Sequence, residues 1–442
     1  MNRQIILKIK KSPVSKSAGF FFVYLVVMVI RSWSLRDRIR VEDGTFIQYF
    51  FDQGPSSFLM VLGGYRQIPS HVVSALVSFL PPSFWSLSFW LLSSAIWVSL
   101  ASAIQQVFLS ITRSYLAASL TGLAVVINGP ASGDALGNTI STSYIAIGVL
   151  LVLFCVGKYE TRGWIFCGLF AFVLSLQMPL AALCLPIIFA RILLRTLRPI
   201  IGAAILLTVS STFLISLLTY RAQSGRKSRI DTGLRLGDFT WEVMLSANRQ
   251  TSWLRLPLSQ DFRFKLFFIL LSIALVGTFW RFSKLLLRIK NSRLSSELNE
   301  FKTMPRKLSQ SRSEQVVLLT YSFIAVQIAY YLTSGIQDRH QVTGAFLLIA
   351  ILILVSIDSI EHKKLFQKIV GMVLLVVIFI GNIKEFVPSS YSNSGPRWSG
   401  ELKSATEKCN TDPLLQDIIM QISPISPPGI WIIKMKCERL RD

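Results

Sequence analysis

Ala18-Gly-Phe-Phe-Phe-Val-Tyr-Leu-Val-Val-Met-Val-Ile30 runs without a charge, behind a basic N-terminus that holds Lys8, Lys10, Lys11 and Lys16. A secretory signal would close on a small-residue cleavage site, whereas here Arg31-Ser-Trp-Ser follows. The stretch therefore reads as an uncleaved first membrane span with its N-terminus in the cytoplasm. Further apolar segments lie at about 84–109, 115–128, 141–157, 163–177, 180–195, 199–219, 265–282, 315–334, 341–357 and 365–383. Each crossing of a bilayer needs about 20 residues. The runs are continuous rather than alternating, which selects helices. The expected fold is an all-α polytopic membrane protein of about eleven transmembrane helices.

Composition agrees. Of 442 residues, 52% are hydrophobic and 16% charged, with a mean hydropathy of +0.53. A soluble chain carries about a quarter charged residues. Net charge is +23, from 46 Lys and Arg against 23 acids. Two readings account for it: basic loops kept on the cytoplasmic side and drawn to anionic headgroups, or a phosphate-bearing substrate. The basic residues sit between apolar segments and no nucleic-acid-binding motif occurs, so membrane lipids are expected partners and nucleic acid is not.

Alternation from a cytoplasmic N-terminus places inside the links near Arg113, Lys158/Arg162, Arg191/Arg195/Arg198, the Ser-rich linker 283–314, and Lys363/Lys364. The short outward links around 129–140 and 177–179 contain no Lys or Arg, so charge and parity agree. Gln177-Met178-Pro179 is the weak point: as a kink within one helix it would invert every later loop. Outward segments are a first loop (36–67), an interfacial helix (68–80), a basic loop (220–265) that includes Arg221, and a tail domain (384–442) beyond a transmembrane module (1–383). In the helix after Pro69, His71, Ser74 and Ser78 share one face while Val72, Val73, Leu76 and Phe79 line another, a pattern suited to the membrane surface. The tail is expected to hold a short helix, Ser399 to Lys408, then apolar-alternating pieces around Ile422 and Trp431.

Cys155, Cys167 and Cys184 lie in apolar segments as small hydrophobes. Cys409 and Cys437 lie in the polar tail, where they are a candidate disulfide if that tail faces an oxidising compartment. Intramembrane Gln177 and Gln327 read as hydrogen-bonders between helices. No His/Cys cluster suggests zinc, and no paired-acid DxD motif is present, so neither a metal nor another cofactor is expected.

Chemistry concentrates in Val41-Glu42-Asp43-Gly44-Thr45-Phe46, followed by Gly64-Tyr65-Arg66-Gln67-Ile68-Pro69-Ser70-His71. Adjacent carboxylates amid Phe46, Ile47, Tyr49, Phe50 and Phe51 read either as a solvated loop or as a base with a raised pKa. The stretch EDGTF…GYRQIPSHVVSALVSFLP resembles a group of poorly characterised bacterial membrane proteins in which EDG is followed by GY…P and a closing LP. Pro396-Arg-Trp398-Ser, Cys409, Pro427-Pro-Gly-Ile-Trp431 and Cys437 resemble that group's ending. An acidic pair in the first outward loop of such a chain is also similar to the GT-C superfamily of integral-membrane glycosyltransferases.

The resemblance implies a bacterial inner-membrane enzyme that moves a sugar from a polyprenyl-phosphate-linked donor to a glycan or lipid acceptor on the outer face. Asp43, with Glu42 second, would then be the base. Arg339 and His340 would bind the donor phosphate, with Arg66 and His71 behind them. Asp134, Asn138 and Arg221 are candidate cavity residues. Two alternatives stay open: an O-antigen polymerase or ligase-like enzyme, which needs no first-loop acid, and a transporter or flippase of lipid-linked glycan, which would favour inverted repeats.

Overall fold

The computed structural model describes residues 13–60, 67–112, 114–128, 131, 135–139, 141–157, 159–193, 196–223, 312–333, 341–361, 365–384, 386–389, 393–423 and 432–441. The expected span 265–282 and almost all of the loop 220–265 and the linker 283–314 lie outside the described residues. The chain is mostly helical: α1 (Pro13–Ser32), α2 (Val41–Gln53), α3 (Ile68–Ser78), α4 (Trp85–Thr112), α5 (Tyr115–Val126), α6 (Thr142–Val156) and α7 (Thr161–Gln177). These are followed by α8 (Leu185–Leu193), α9 (Pro199–Gln223), α10 (Arg312–Thr333), α11 (Gln341–Glu361) and α12 (Leu365–Lys384). The tail holds α13 (Trp398–Thr411), strands β1 (Asp417–Gln421) and β2 (Ile432–Lys436), and α14 (Glu438–Arg441). Among the described residues, Pro82–Thr112 and Pro199–Ser216 are long and apolar enough to cross a membrane; the other apolar helices found there are shorter.

Side-chain contacts fix the direction of the helices. Trp90, early in α4, donates to Ser32 at the end of α1, 2.9 Å to Oγ and 3.1 Å to the carbonyl, so these two run antiparallel. Tyr24 reaches the Ser119 carbonyl at 3.1 Å and Arg31 reaches that of Asn128 at 2.6 Å, so α5 runs parallel to α1. Phe154 stacks on Trp164 at 5.9 Å, closing the α6–α7 reversal. The Arg191 guanidinium at the end of α8 lies 5.0 Å from the Trp164 ring at the start of α7. That contact requires the chain to double back at Gln177-Met178-Pro179: the segment is a reversal, not a kink. Thr212 donates to Ser175 at 2.6 Å, and a Cβ on Gly168 would lie 2.8 Å from Ile205, so α9 runs parallel to α7.

Beyond the gap in the description, Gln315 near the start of α10 donates to the Val156 carbonyl at the end of α6, 3.5 Å away. Thus α9 ends at the Asp43 end of the bundle and α10 begins at the other. Thr343 donates to the Tyr144 carbonyl at 2.6 Å, bringing the starts of α6 and α11 together.

Three expectations need correction. The first outward loop is not irregular: α2 occupies Val41–Gln53, with Glu42 and Asp43 in its first turn, where the helix dipole favours anions, and Gly54 at φ 59° ending it. The segment 180–195 opens as a 3-10 turn, Pro179–Cys184, because Pro179 and the preceding reversal leave no run of carbonyl partners for a regular first turn. In the tail, β1 precedes Ile422, pairing antiparallel with β2 from Asp417↔Lys436 to Gln421↔Ile432.

The tail packs on α2 through a core that joins Ile39, Ile47, Trp85 and Phe89 to Trp398, Ile418, Met420, Ile422, Ile433 and Met435. Backbone bonds fasten it: Trp398 N–H donates to the Asp37 carbonyl at 2.8 Å and Ser423 N–H to the Ile39 carbonyl at 3.0 Å. A Cβ at Gly44 would fall 2.5 Å from Ile422 and 3.2 Å from both Ile39 and Ile433. The glycine of the EDG stretch thus sits at a close approach of tail and helix. Gly44→Ala is expected to cost about 1–3 kcal/mol by overpacking, offset in part by about 1 kcal/mol of helix propensity. Trypsin should then cleave within the tail faster than in the parent protein.

Candidate functional site

Asp43, in the first turn of α2, is fully buried. Thr139 N–H donates to both of its carboxylate oxygens at 3.3 Å, and Thr139 Oγ1 donates to Oδ1. Oδ2 therefore accepts one long bond and keeps lone-pair capacity. Ser74 of α3 donates to the Asp43 carbonyl at 3.5 Å. Burial pushes the Asp43 pKa up to about 7; the Thr139 bonds and the Arg40 charge pull it down and Glu42 pushes it up, but burial prevails. A carboxyl poised there can take a proton at physiological pH and later release it.

Glu42 is set apart from its neighbour by a different partner. Asn138 Nδ2 donates to Glu42 Oε2 at 2.6 Å, while Asn138 Oδ1 accepts from Ser141 N–H at 3.3 Å, which fixes the amide's orientation. The two acids thus lean on consecutive residues of one link, and the sequence-predicted Asn138 is brought to the pair.

His71 joins the same seam. It is 1% exposed, its ring 4.1 Å from that of Phe46 and 6.3 Å from that of Tyr49. Burial pulls its pKa down to about 4. As a donor-phosphate ligand it would therefore offer a neutral imidazole, not the cation that role was expected to use. Gln177, expected to bond between helices, donates to Ser70 Oγ at 2.6 Å and accepts from Ser70 N–H at 3.1 Å, tying α7 to the start of α3. Gln67, just before α3, holds φ at 50°, uncommon for a residue with a Cβ.

Arg66, Asp134, Arg339 and His340 lie outside the described residues, and Arg221 lies in the last turn of α9 with its side chain outside them. The helix after Arg339 and His340 does start at this end of the bundle: Asn128 Nδ2 donates to the Val342 carbonyl at 3.3 Å. Cys409 and Cys437 are joined, with Cα atoms 5.4 Å apart. Among the described residues no three His, Cys, Asp or Glu side chains converge as metal ligands would.

Sequence reasoning missed Thr139 and Arg40. A lone hydroxyl residue carries no signal of its own, although its place beside Asn138 pointed to it. Arg40, 1% exposed, caps the N-terminal end of α2 with its backbone and sets a positive charge near Asp43. Thr139→Val keeps the shape and deletes the hydroxyl donor. The midpoint of any Asp43-dependent pH profile should rise by about one to two units, since a hydrogen bond to a charged group is worth about 1.5–3 kcal/mol. No family model matches the sequence, and no curated protein is significantly similar to it.

Proposed function

We propose that this chain is an integral-membrane glycosyltransferase of the GT-C type. It moves a sugar from a polyprenyl-phosphate-linked donor to a glycan or lipid acceptor at the outer face of a bacterial inner membrane, with Asp43 as general base. The observation that carries the reading is the buried Asp43 carboxyl, poised near pH 7 with an oxygen left to accept a proton. In the reaction the acceptor hydroxyl gives its proton to Asp43 as its oxygen bonds to the anomeric carbon. The bond from that carbon to the phosphate breaks, and the phosphate departs with the electron pair. Glu42, held by Asn138, is the second carboxylate of the pair. Arg339, His340 and Arg66 are the candidates to meet the departing phosphate.

Several features support an embedded chain of about eleven spans. The described helices reverse as alternation requires: α4 runs against α1, α5 with it, and α9 with α7. Outer faces are apolar: Phe22, Ile30, Phe166, Ile200, Leu207 and Val376 are exposed, while Ser93, Ser94, Gln105 and Thr121 are buried. In α3 and the residue that follows it, Leu76 and Phe79 are exposed and His71, Ser74 and Ser78 buried. That inversion costs free energy in water and none in lipid. The joined cysteines support an oxidising, outward side for the tail and for α2 beneath it.

Purified protein in liposomes, supplied with the lipid fraction that accumulates in a deletion strain, tests the reading. Release of the polyprenyl phosphate together with a glycosylated product is expected. Movement of the intact lipid-linked sugar between leaflets, with no cleavage, would instead make the chain a transporter.

A further inference from the structure

His71 is buried on α3, yet among the described residues neither ring nitrogen has a hydrogen-bond partner. Two unsatisfied buried polar atoms cost free energy of folding that an apolar side chain of similar size would not incur. A purely structural role therefore does not account for the residue. Its surroundings point to a ligand. The Phe46 ring flanks the imidazole at 4.1 Å, and the Tyr49 ring lies within 20° of parallel at 6.3 Å. Tyr49 is only half-buried, so the seam between α2 and α3 meets the surface there. Phe46 lies one turn along α2 from Asp43. Ser74, one turn along α3 from His71, bonds to the Asp43 carbonyl. Imidazole and carboxyl thus share one seam, a turn apart.

Resting on the transferase reading, we propose that His71 reads the acceptor: its N–H donates to one hydroxyl of a neutral sugar and its bare nitrogen accepts from another. Tyr49, half-buried where the seam meets the surface, offers an aromatic face to the sugar's C–H surface, and Phe46 holds the imidazole from behind. A neutral ring fits such an occupant better than a phosphate, because a buried imidazole without a carboxylate partner brings no charge to an anion.

The experiment uses full-length protein labelled with ¹⁵N-histidine, of which the chain has three residues, His71, His340 and His362. The His71 signals are identified by their loss in His71→Gln. They are expected to shift with at least one of a panel of methyl glycosides and to ignore inorganic phosphate. A response to phosphate alone, or to nothing, overturns the proposal. The response should persist in Asp43→Asn, so a failure of the base assignment and a failure of this inference are seen separately.

His71→Leu supplies a second readout. It should raise the melting temperature while raising the KM for acceptor about tenfold and leaving that for donor unchanged. A histidine there only for packing would lower the melting temperature and leave both constants alone, which would also overturn the proposal.

Discussion

Asp43→Asn should abolish most transfer and yet yield a more stable protein. Removal of a general base typically costs about 10²–10⁴-fold in rate. The stability gain follows from linkage. The folded carboxyl titrates at about 7, against an ordinary value of 3.8. Below pH 4 both folded and unfolded chains hold the proton. As pH rises from 4 to 7 the unfolded chain releases it and the folded chain does not, so wild-type stability falls across that window and stays reduced above it. Asn carries no such penalty and can still accept a bond from Thr139. The variant's advantage should therefore be near zero at pH 4 and largest at pH 8, with a ceiling on the order of 4 kcal/mol. Thermal unfolding in detergent at the two pH values measures it. Equal stability of the two proteins at pH 8 would mean that burial does not raise the Asp43 pKa. The wild-type rate should correspondingly rise through pH 7 as the base form accumulates.

Loss of the tail's crosslink should have the next largest effect. Cys409 and Cys437 are fully buried, 28 residues apart in sequence, within the core that also holds Trp398, Met420 and Ile433. The chain-entropy estimate for a loop of that size is about 3–4 kcal/mol. The tail has a two-stranded sheet and two short helices to oppose that loss, so Cys409→Ser with Cys437→Ser should release it from α2. Gly44 would then face open space where Ile422 and Ile433 had packed. Hydrogen exchange should rise in α13, β1 and β2 together, and at the amides of α2's first turn, while α6 and α11 keep their protection. Unchanged exchange in α2 would show that the tail does not brace the acidic pair.

Much of this architecture was legible in the sequence because uninterrupted apolar runs admit little besides helix. The expected segments 84–109, 141–157 and 365–383 fall within a few residues of α4, α6 and α12. The reversal at Gln177-Met178-Pro179 was not decidable there, since the same residues suit a kink. Trp164 meeting Arg191 decides it, a contact between positions that local pattern does not link. The helix α2 was hidden by its aromatic density, which blurs the periodicity that would mark one face. For α3 the two faces were visible, but not which one met protein: water would bury Leu76 and expose His71, and the fold does the opposite. Asn138 and Asp43 could be singled out by type. Thr139 could not, nor could the reason for Gly44, whose neighbours Ile422 and Ile433 lie at the far end of the chain.

Sidedness is the premise beneath every chemical step, and one labelling measurement tests it. Leu414 is 90% exposed on the tail, and Cys155, Cys167 and Cys184 are buried, so Leu414→Cys would supply an accessible thiol against a quiet background. The backbone bonds from Asp37 and Ile39 to the tail keep position 414 on the same side as Asp43. A membrane-impermeant maleimide applied to intact spheroplasts should label this variant as fully as it does after lysis. Labelling that appears only once the membrane has been opened would place the carboxylate in the cytoplasm and contradict an outward-facing transferase.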